Sequence, residues 1–283
     1  YGIIEPNDIS ESIKPNTCLV CVMMANNEIG SINPIREIAK ASHAKGIPIH
    51  CDVVQSFGKE RIDVCDLGID SMSVSFHKLY GPTGIGLLVL SNNLIKSYNL
   101  CGQINGKQQW GFRAGTENTC SIGGAIVALS DTFKNRLTKN KHLLTLRNLT
   151  IKCLSEKFDY VDYTQIMTKP KSVEEKKGTI VRFCVIGPSQ QYAKMYLPST
   201  LLLCFLSWRK NLCNVEIKRA LARRGITVSV GSTCNSNSSK ASHVVHALGL
   251  SQMMRRGVIR VSFSDNSKTS DVKELCKALK TVV

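Results

Sequence analysis

Short apolar runs alternate with segments of helical spacing along the first half of the chain. Thr17 to Met24 reads as a strand, Ile35, Ile38, Ala39 and Ser42 keep the spacing of an amphipathic helix, and Ile47 to Val53 predicts the next strand. Ser71 to Phe76 and Ile85 to Leu90 predict two more. Such alternation argues for an α/β fold in which a mostly parallel sheet carries helices on its faces. Ligands of these sheets gather at the carboxyl ends of strands. Asn26-Asn27, Asp52 and His77-Lys78 all fall at such ends.

From about Thr116 the pattern turns helical, and the polar, basic stretch Lys134 to Lys141 predicts a border between a large domain, 1–137, and a smaller α/β domain, 138–283. In the second part Thr179 to Ile186 reads as a strand and Val215 to Arg224 as a helix, with Ile217 and Leu221 on one face and Gly225 as its left-handed stop. Ile226 to Val230 predicts a strand that leads into Gly231-Ser232-Thr233-Cys234-Asn235-Ser236. Val258 to Phe263 predicts another, and Val272, Leu275, Leu279 and Val282 line the apolar face of a last helix. No internal repeat is visible.

Composition narrows the classes. With 283 residues and 43% apolar content the chain can bury a large core. Its 37 Lys and Arg against 21 Asp and Glu give +16, yet the basic residues are scattered, in runs no longer than pairs such as Arg223-Arg224. That distribution reads as solvated surface and argues against nucleic acid or an anionic membrane as partner. The longest apolar run, Leu201 to Trp208, falls far short of the ~20 residues that span a bilayer. Twelve cysteines at irregular spacings build neither a disulfide framework nor a zinc site, so a reducing, cytoplasmic setting is expected. Cys18 and Cys21 sit within a predicted strand, where residues three apart face opposite sides, and no second pair completes a metal site. The chain opens on Tyr1, not Met, which leaves room for a preceding segment and for organellar targeting within it.

One lysine and one acid carry the candidate chemistry. Pyridoxal 5'-phosphate needs an amine to hold its aldehyde and a carboxylate to keep its ring nitrogen protonated. Lys78, in Ser75-Phe76-His77-Lys78, and Asp52 on a neighbouring strand supply that pair. Around them stand Ala25-Asn26-Asn27-Glu28-Ile29-Gly30, Asp52-x-x-Gln55-Ser56-x-Gly58-Lys59, His77-Lys78-x-Tyr80-Gly81-Pro82-x-Gly84-Ile85-Gly86 and Arg113-Ala114-Gly115-Thr116-Glu117-Asn118. Together and in this order they resemble the NifS-like cysteine desulfurases and selenocysteine lyases, class V of the pyridoxal-phosphate aminotransferase superfamily.

The resemblance implies a fold-type I architecture and a set of roles. Lys78 is similar to the family's Schiff-base lysine and proton shuttle, and Asp52 to the partner of the ring nitrogen. Asn27 and Gln55 correspond to residues around the ring's phenolic oxygen, and Ser75 and His77 to phosphate contacts. Thr116 matches a threonine that reaches the phosphate of a neighbouring subunit, which implies a homodimer. Cys234 lies in a segment similar to the loop that bears the sulfur-accepting cysteine, and a thiolate on such a loop is a strong nucleophile. Arg260 matches the arginine that pairs with the substrate α-carboxylate, and the resemblance makes Asn27 a substrate-binding residue as well. The implied reaction takes sulfur from L-cysteine, or selenium from L-selenocysteine, onto Cys234 as a persulfide and releases alanine. A sulfur-acceptor or iron-sulfur scaffold protein would then receive it. The competing readings are a selenocysteine lyase and an inactive homologue serving as scaffold or regulator. A Cys-His protease built on Cys234, His243 and His246 lacks an oxyanion motif and an orienting Asn.

The chain also departs from the family. Before Tyr1 it shows neither the Gly/Thr-rich phosphate cradle at a helix start nor the ring-stacking His. Lys107 and Gln109 replace a glycine and an acid in Asn105-Gly106-Lys107-Gln108-Gln109. Ser189 to Leu212 reads as an insert, its apolar run in need of a partner. The insert and the missing start are expected to reflect an unspliced intron and an absent first exon.

Overall fold

A computed structural model of the chain describes residues 2–168, 181–188, 195–207, 212–230 and 242–283. Two compact units divide it. Ile3–Ala25 and Asn33–Arg136 form the first, and Asn26–Ile32 and Leu137–Val283, with the extreme N-terminus, form the second.

In the first unit helix α1 (Pro6–Ser12) precedes strand β1 (Val20–Met23) and helix α2 (Ile35–His43). Helix α2 forms where the spacing predicts it, and the four residues of that pattern, Ile35, Ile38, Ala39 and Ser42, are its buried ones. Glu37 in its first turn and Lys40 and His43 in its last oppose the helix dipole. Strand β2 (Ile49–Asp52) follows. Helix α3 (Val64–Leu67) is then capped by the Asp63 carboxylate, which accepts from the Cys65 and Asp66 N–H groups, and is stopped by left-handed Gly68. Strand β3 (Ser71–Ser75) ends in a 3-10 turn, Phe76–Leu79, and the chain returns as β4 (Gly86–Leu90), followed by helix α4 (Asn92–Ser97).

The sheet order is β1-β2-β3-β4. Strands β1, β2 and β3 are parallel, with Met23 opposite Asp52 and Asp52 opposite Ser73, while β4 runs antiparallel. The short link explains that reversal, because a parallel return needs a crossover of a dozen or more residues. Positive φ at Tyr80 and Gly84 turns the chain within the space available.

The 37-residue helix α5 (Thr119–Ser155) contains the point, between Arg136 and Leu137, where the units divide. In the first unit its Phe133 meets Phe57 edge-on at 5.6 Å. Beyond it lie β5 (Asp159–Tyr160), α6 (Tyr163–Thr168), β6 (Arg182–Ile186), β7 (Thr200–Leu206), α7 (Asn214–Ala222), α8 (His243–Ala247), α9 (Gln252–Arg256), β8 (Val258–Ser262) and α10 (Thr269–Val282).

The second sheet has the order β5-β6-β7-β8, and β7 is antiparallel to both of its neighbours. Every residue of β6 and β7 is buried. Phe183, Val185, Leu201, Leu203 and Phe205 face a core closed by Leu146, Leu154, Ile217, Leu221 and Leu279. Cys184, Ile186, Leu202, Cys204 and Leu206 face another, closed by Tyr163, Ile166, Val245 and Met254.

Within Ser189 to Leu212 the apolar run finds its partners in the sheet: Thr200–Leu206 forms β7. It is an interior strand of a sheet covered on both faces, the setting in which a strand reads as continuous rather than alternating hydrophobicity. Residues 189–194 and 208–211 of that stretch lie outside the described residues. Of the predicted strand Ile226 to Val230, Ser229 forms an isolated bridge to Arg260. Among the described residues no helix is long and apolar enough to cross a membrane, and no group of His, Cys, Asp and Glu is placed to hold a metal.

Candidate active site

The first unit gathers most of the predicted residues. Because β2 and β3 are parallel neighbours, their carboxyl ends share one edge, with Asp52 closing β2 and the Phe76–Leu79 turn leaving β3. Asp52 is half-buried, and its Oδ1 accepts from the Val54 N–H at 2.9 Å. Lys78 is exposed on the turn, which left-handed Tyr80 terminates. Beside it, Ser75 Oγ and His77 Nδ1 lie 2.7 Å apart, within hydrogen-bond distance. Gln55 follows Asp52 in the next turn, and its carbonyl accepts from Lys59 Nζ at 3.0 Å. Cys51, next to Asp52, is fully buried, and burial, reinforced by the Asp52 charge, pushes its thiol up to about 12.

Thr116 is exposed, and its carbonyl accepts from Arg113 Nη1 at 3.2 Å. Ahead of it, in the stretch where Lys107 and Gln109 replace the family's glycine and acid, Gln109 and Trp110 both take positive φ. Side chains other than glycine rarely adopt that region.

Asn27 and Arg260 belong to the second unit, together with Glu28. Strand β8 presents Arg260, whose Nη1 donates to the Asn27 carbonyl at 3.0 Å. Burial holds its guanidinium below the usual arginine range, and the Glu28 carboxylate offsets part of that shift. Glu28 is almost wholly buried, at 1% exposure, and its Oε2 accepts from Ser242 Oγ at 2.5 Å. Ser242 also caps α8, accepting from the Val244 and Val245 N–H groups. Cys234 lies outside the described residues. The sequence reading assigned Glu28 and Ser242 no role; the Asn26-Asn27-Glu28 motif was the available signal for the first, and Ser242 had none.

A lysine amine, a carboxylate and a Ser-His pair lie along one sheet edge, groups of the kinds that pyridoxal-phosphate chemistry calls for. The aminotransferase class-V family matches residues 1–275, and the chain belongs to it. That family works with pyridoxal phosphate, and Lys78, Asp52, Ser75 and His77 fit the group chemically.

Among similar proteins, the cysteine desulfurase IscS of Clostridium botulinum strain Hall is 34% identical over the whole chain, which covers 63% of that relative. The Methanosarcina thermophila cysteine desulfurase IscS is 30% identical, again over the whole chain and 62% of the relative. A solved NifS-like protein superposes with a TM-score of 0.78 at 24% identity, over 99% of this chain and 65% of its own. The chain thus spans a little under two thirds of the length of these relatives.

Proposed function

We propose that this chain carries cysteine desulfurase chemistry, transferring sulfur from L-cysteine to an enzyme cysteine. The observation that supports this reading most directly is the shared edge of β2 and β3, where Asp52 and the Lys78 turn leave adjacent parallel strands. When bound, pyridoxal phosphate supplies an electron sink for charge that develops at the substrate α-carbon.

The chain's own residues do the rest. Asp52 would keep a proton on the ring nitrogen, Asn27 and Gln55 would serve the phenolic oxygen, and Ser75 and His77 would donate to the phosphate. Arg260 fixes the substrate α-carboxylate, which sets the orientation of the α-hydrogen. Lys78 would supply the amine that holds the cofactor's aldehyde and would move the proton at the substrate α-carbon. The Cys234 thiolate attacks the substrate sulfur, so a sulfur-sulfur bond forms as the carbon-sulfur bond breaks, and protonation of the carbon fragment gives alanine. The persulfide on Cys234 passes to an acceptor protein. Thr116 serves the phosphate of a second copy in a homodimer. A reducing, cytoplasmic setting keeps Cys234 in its thiol form.

The test combines absorbance and product assays. Purified chain is mixed with pyridoxal phosphate, and absorbance at the edge of the visible is followed before L-cysteine is added with a thiol reductant. The expected result is a lysine-bound cofactor band, then alanine and sulfide, all lost in Lys78→Ala; the band without alanine would favour an inactive homologue. L-selenocysteine in parallel ranks the two substrates.

A further inference from the structure

We propose that Glu28 is the positioning residue for Arg260, holding its guanidinium in the orientation that receives the substrate carboxylate. Among the described residues, buried side-chain polar atoms without a hydrogen-bond partner occur on Glu28 (Oε1), Arg147 (Nε) and Arg260 (Nε). Two of these, Glu28 and Arg260, carry opposite charges and act on each other electrostatically. Leaving these two atoms, Glu28 Oε1 and Arg260 Nε, unpartnered in a folded interior is costly, and atoms left in that state are commonly part of a working site.

The local geometry gives this pair a function. Arg260 Nη1 is committed to the Asn27 carbonyl at 3.0 Å, which turns one end of the guanidinium toward the Asn27-Glu28 turn. The remaining donors, including Nε, are those able to present two parallel N–H groups to a carboxylate. Glu28 lies one residue beyond the carbonyl that anchors Nη1, and its own carboxylate is held from the other side by Ser242 Oγ at 2.5 Å. Backbone bonds between Ser229 and Arg260, at 3.0 and 2.6 Å, fix the strand beneath. Ser229 and Ser242 also stand on either side, in sequence, of the stretch that contains Cys234. The acid therefore favours the charged guanidinium in a half-buried place, while the Asn27 carbonyl beside it anchors one end. It does not itself meet the substrate.

The inference rests on the reading of Arg260 as the carboxylate-binding residue, and its test separates the two. The primary readout needs neither cofactor nor turnover: thermal unfolding of wild type, Glu28→Gln, Arg260→Gln and the double variant. Coupled residues give a double variant whose loss of midpoint is clearly smaller than the sum of the single losses, whereas independent sites add. The second readout is kinetic. Glu28→Gln is expected to raise KM for L-cysteine by about tenfold, the order of one charge-assisted contact, while kcat stays within about twofold. Glu28→Asp, which keeps the charge, recovers part of that loss, and it replaces Glu28→Gln in the cycle if the glutamine variant does not fold. Additive midpoints, or coupled midpoints with an unchanged KM, would overturn the proposal, the latter by reducing Glu28 to a structural role. A wild type that yields no alanine sinks the desulfurase reading and leaves the unfolding cycle to decide whether the two residues are coupled.

Discussion

Gly257→Ala is the most informative single change to the second sheet. Gly257 ends helix α9 and opens β8, and its φ of −97° is one that any residue adopts, so backbone conformation does not require glycine there. Space does. A Cβ at this position would lie 1.8 Å from the Phe205 carbonyl oxygen, more than an ångström inside the 3.0 Å limit for such contacts, and 2.8 Å from its carbon. Both neighbours are backbone, so no side chain can swing aside. The strands must part, and the Phe205 N–H that donates to the Gly257 carbonyl at 3.0 Å goes with them. Overpacking of this kind costs about 1–3 kcal/mol and an orphaned buried donor about 1–3 more, for a total near 4 kcal/mol. For a chain of this size that lowers the unfolding midpoint by roughly 8–15 °C. The assay is urea and thermal unfolding followed by circular dichroism, with Gly123→Ala as the reference. Gly123 lies in α5 with nothing within 4 Å of a built Cβ, so that change should stabilise by up to ~1 kcal/mol through helix propensity. If Gly257→Ala unfolds within about 1 kcal/mol of the parent, the close approach of β7 to the α9–β8 corner is refuted.

Two further outcomes follow from buried groups. Arg147, 3% exposed, donates to the Thr200 carbonyl at 2.6 Å and lies 4.3 Å over the Tyr196 ring. Arg147→Ala should destabilise by about 2–5 kcal/mol, through the cavity and the orphaned Thr200 carbonyl, and Arg147→Met, which refills the volume, by distinctly less, as measured by urea midpoint. Burial first, then neighbouring groups, pushes the Cys51 and Cys276 thiols up to about 12. At pH 8 both should resist iodoacetamide in the native chain while exposed Cys65 and Cys120 are alkylated, as mass mapping would show. Because the folded state keeps protons that the unfolded thiols release, their contribution is complete below about pH 9. It is lost as pH rises from there toward 12, and a stability profile that stays flat across that window contradicts the assignment.

The elements that sequence disclosed best are those exposed on one face. Ile35, Ile38, Ala39 and Ser42 announced α2 because the opposite face is polar, and Asp52 and Lys78 stood out because each polar residue follows an apolar strand. Strand β7 was harder to read for the converse reason. Covered on both sides, Leu201 to Leu206 carries no alternation, and an uninterrupted apolar run beside residues foreign to the family pattern looks like an insertion. The antiparallel course of β4 depended on turn geometry at Tyr80 and Gly84, which composition alone does not convey. Glu28 stayed hidden because its meaning lies in Ser242 and Arg260, more than two hundred positions away in the chain.

The excursion of Asn26–Ile32 into the second unit has a consequence for biogenesis. The ribosome delivers these residues early, yet the backbone they bond, at Met195 and Leu197, emerges only after α5, β5 and β6 have been made. Until then the Gly30 carbonyl and the Ile32 N–H lack these native partners, and the loop that closes on them spans more than 150 residues. Contacts of such sequence separation form slowly and late. The turn that bears Asn27 and Glu28 is therefore set among the last events of folding, so a nascent chain acquires the Lys78 edge well before it acquires the acid and carbonyl that hold Arg260.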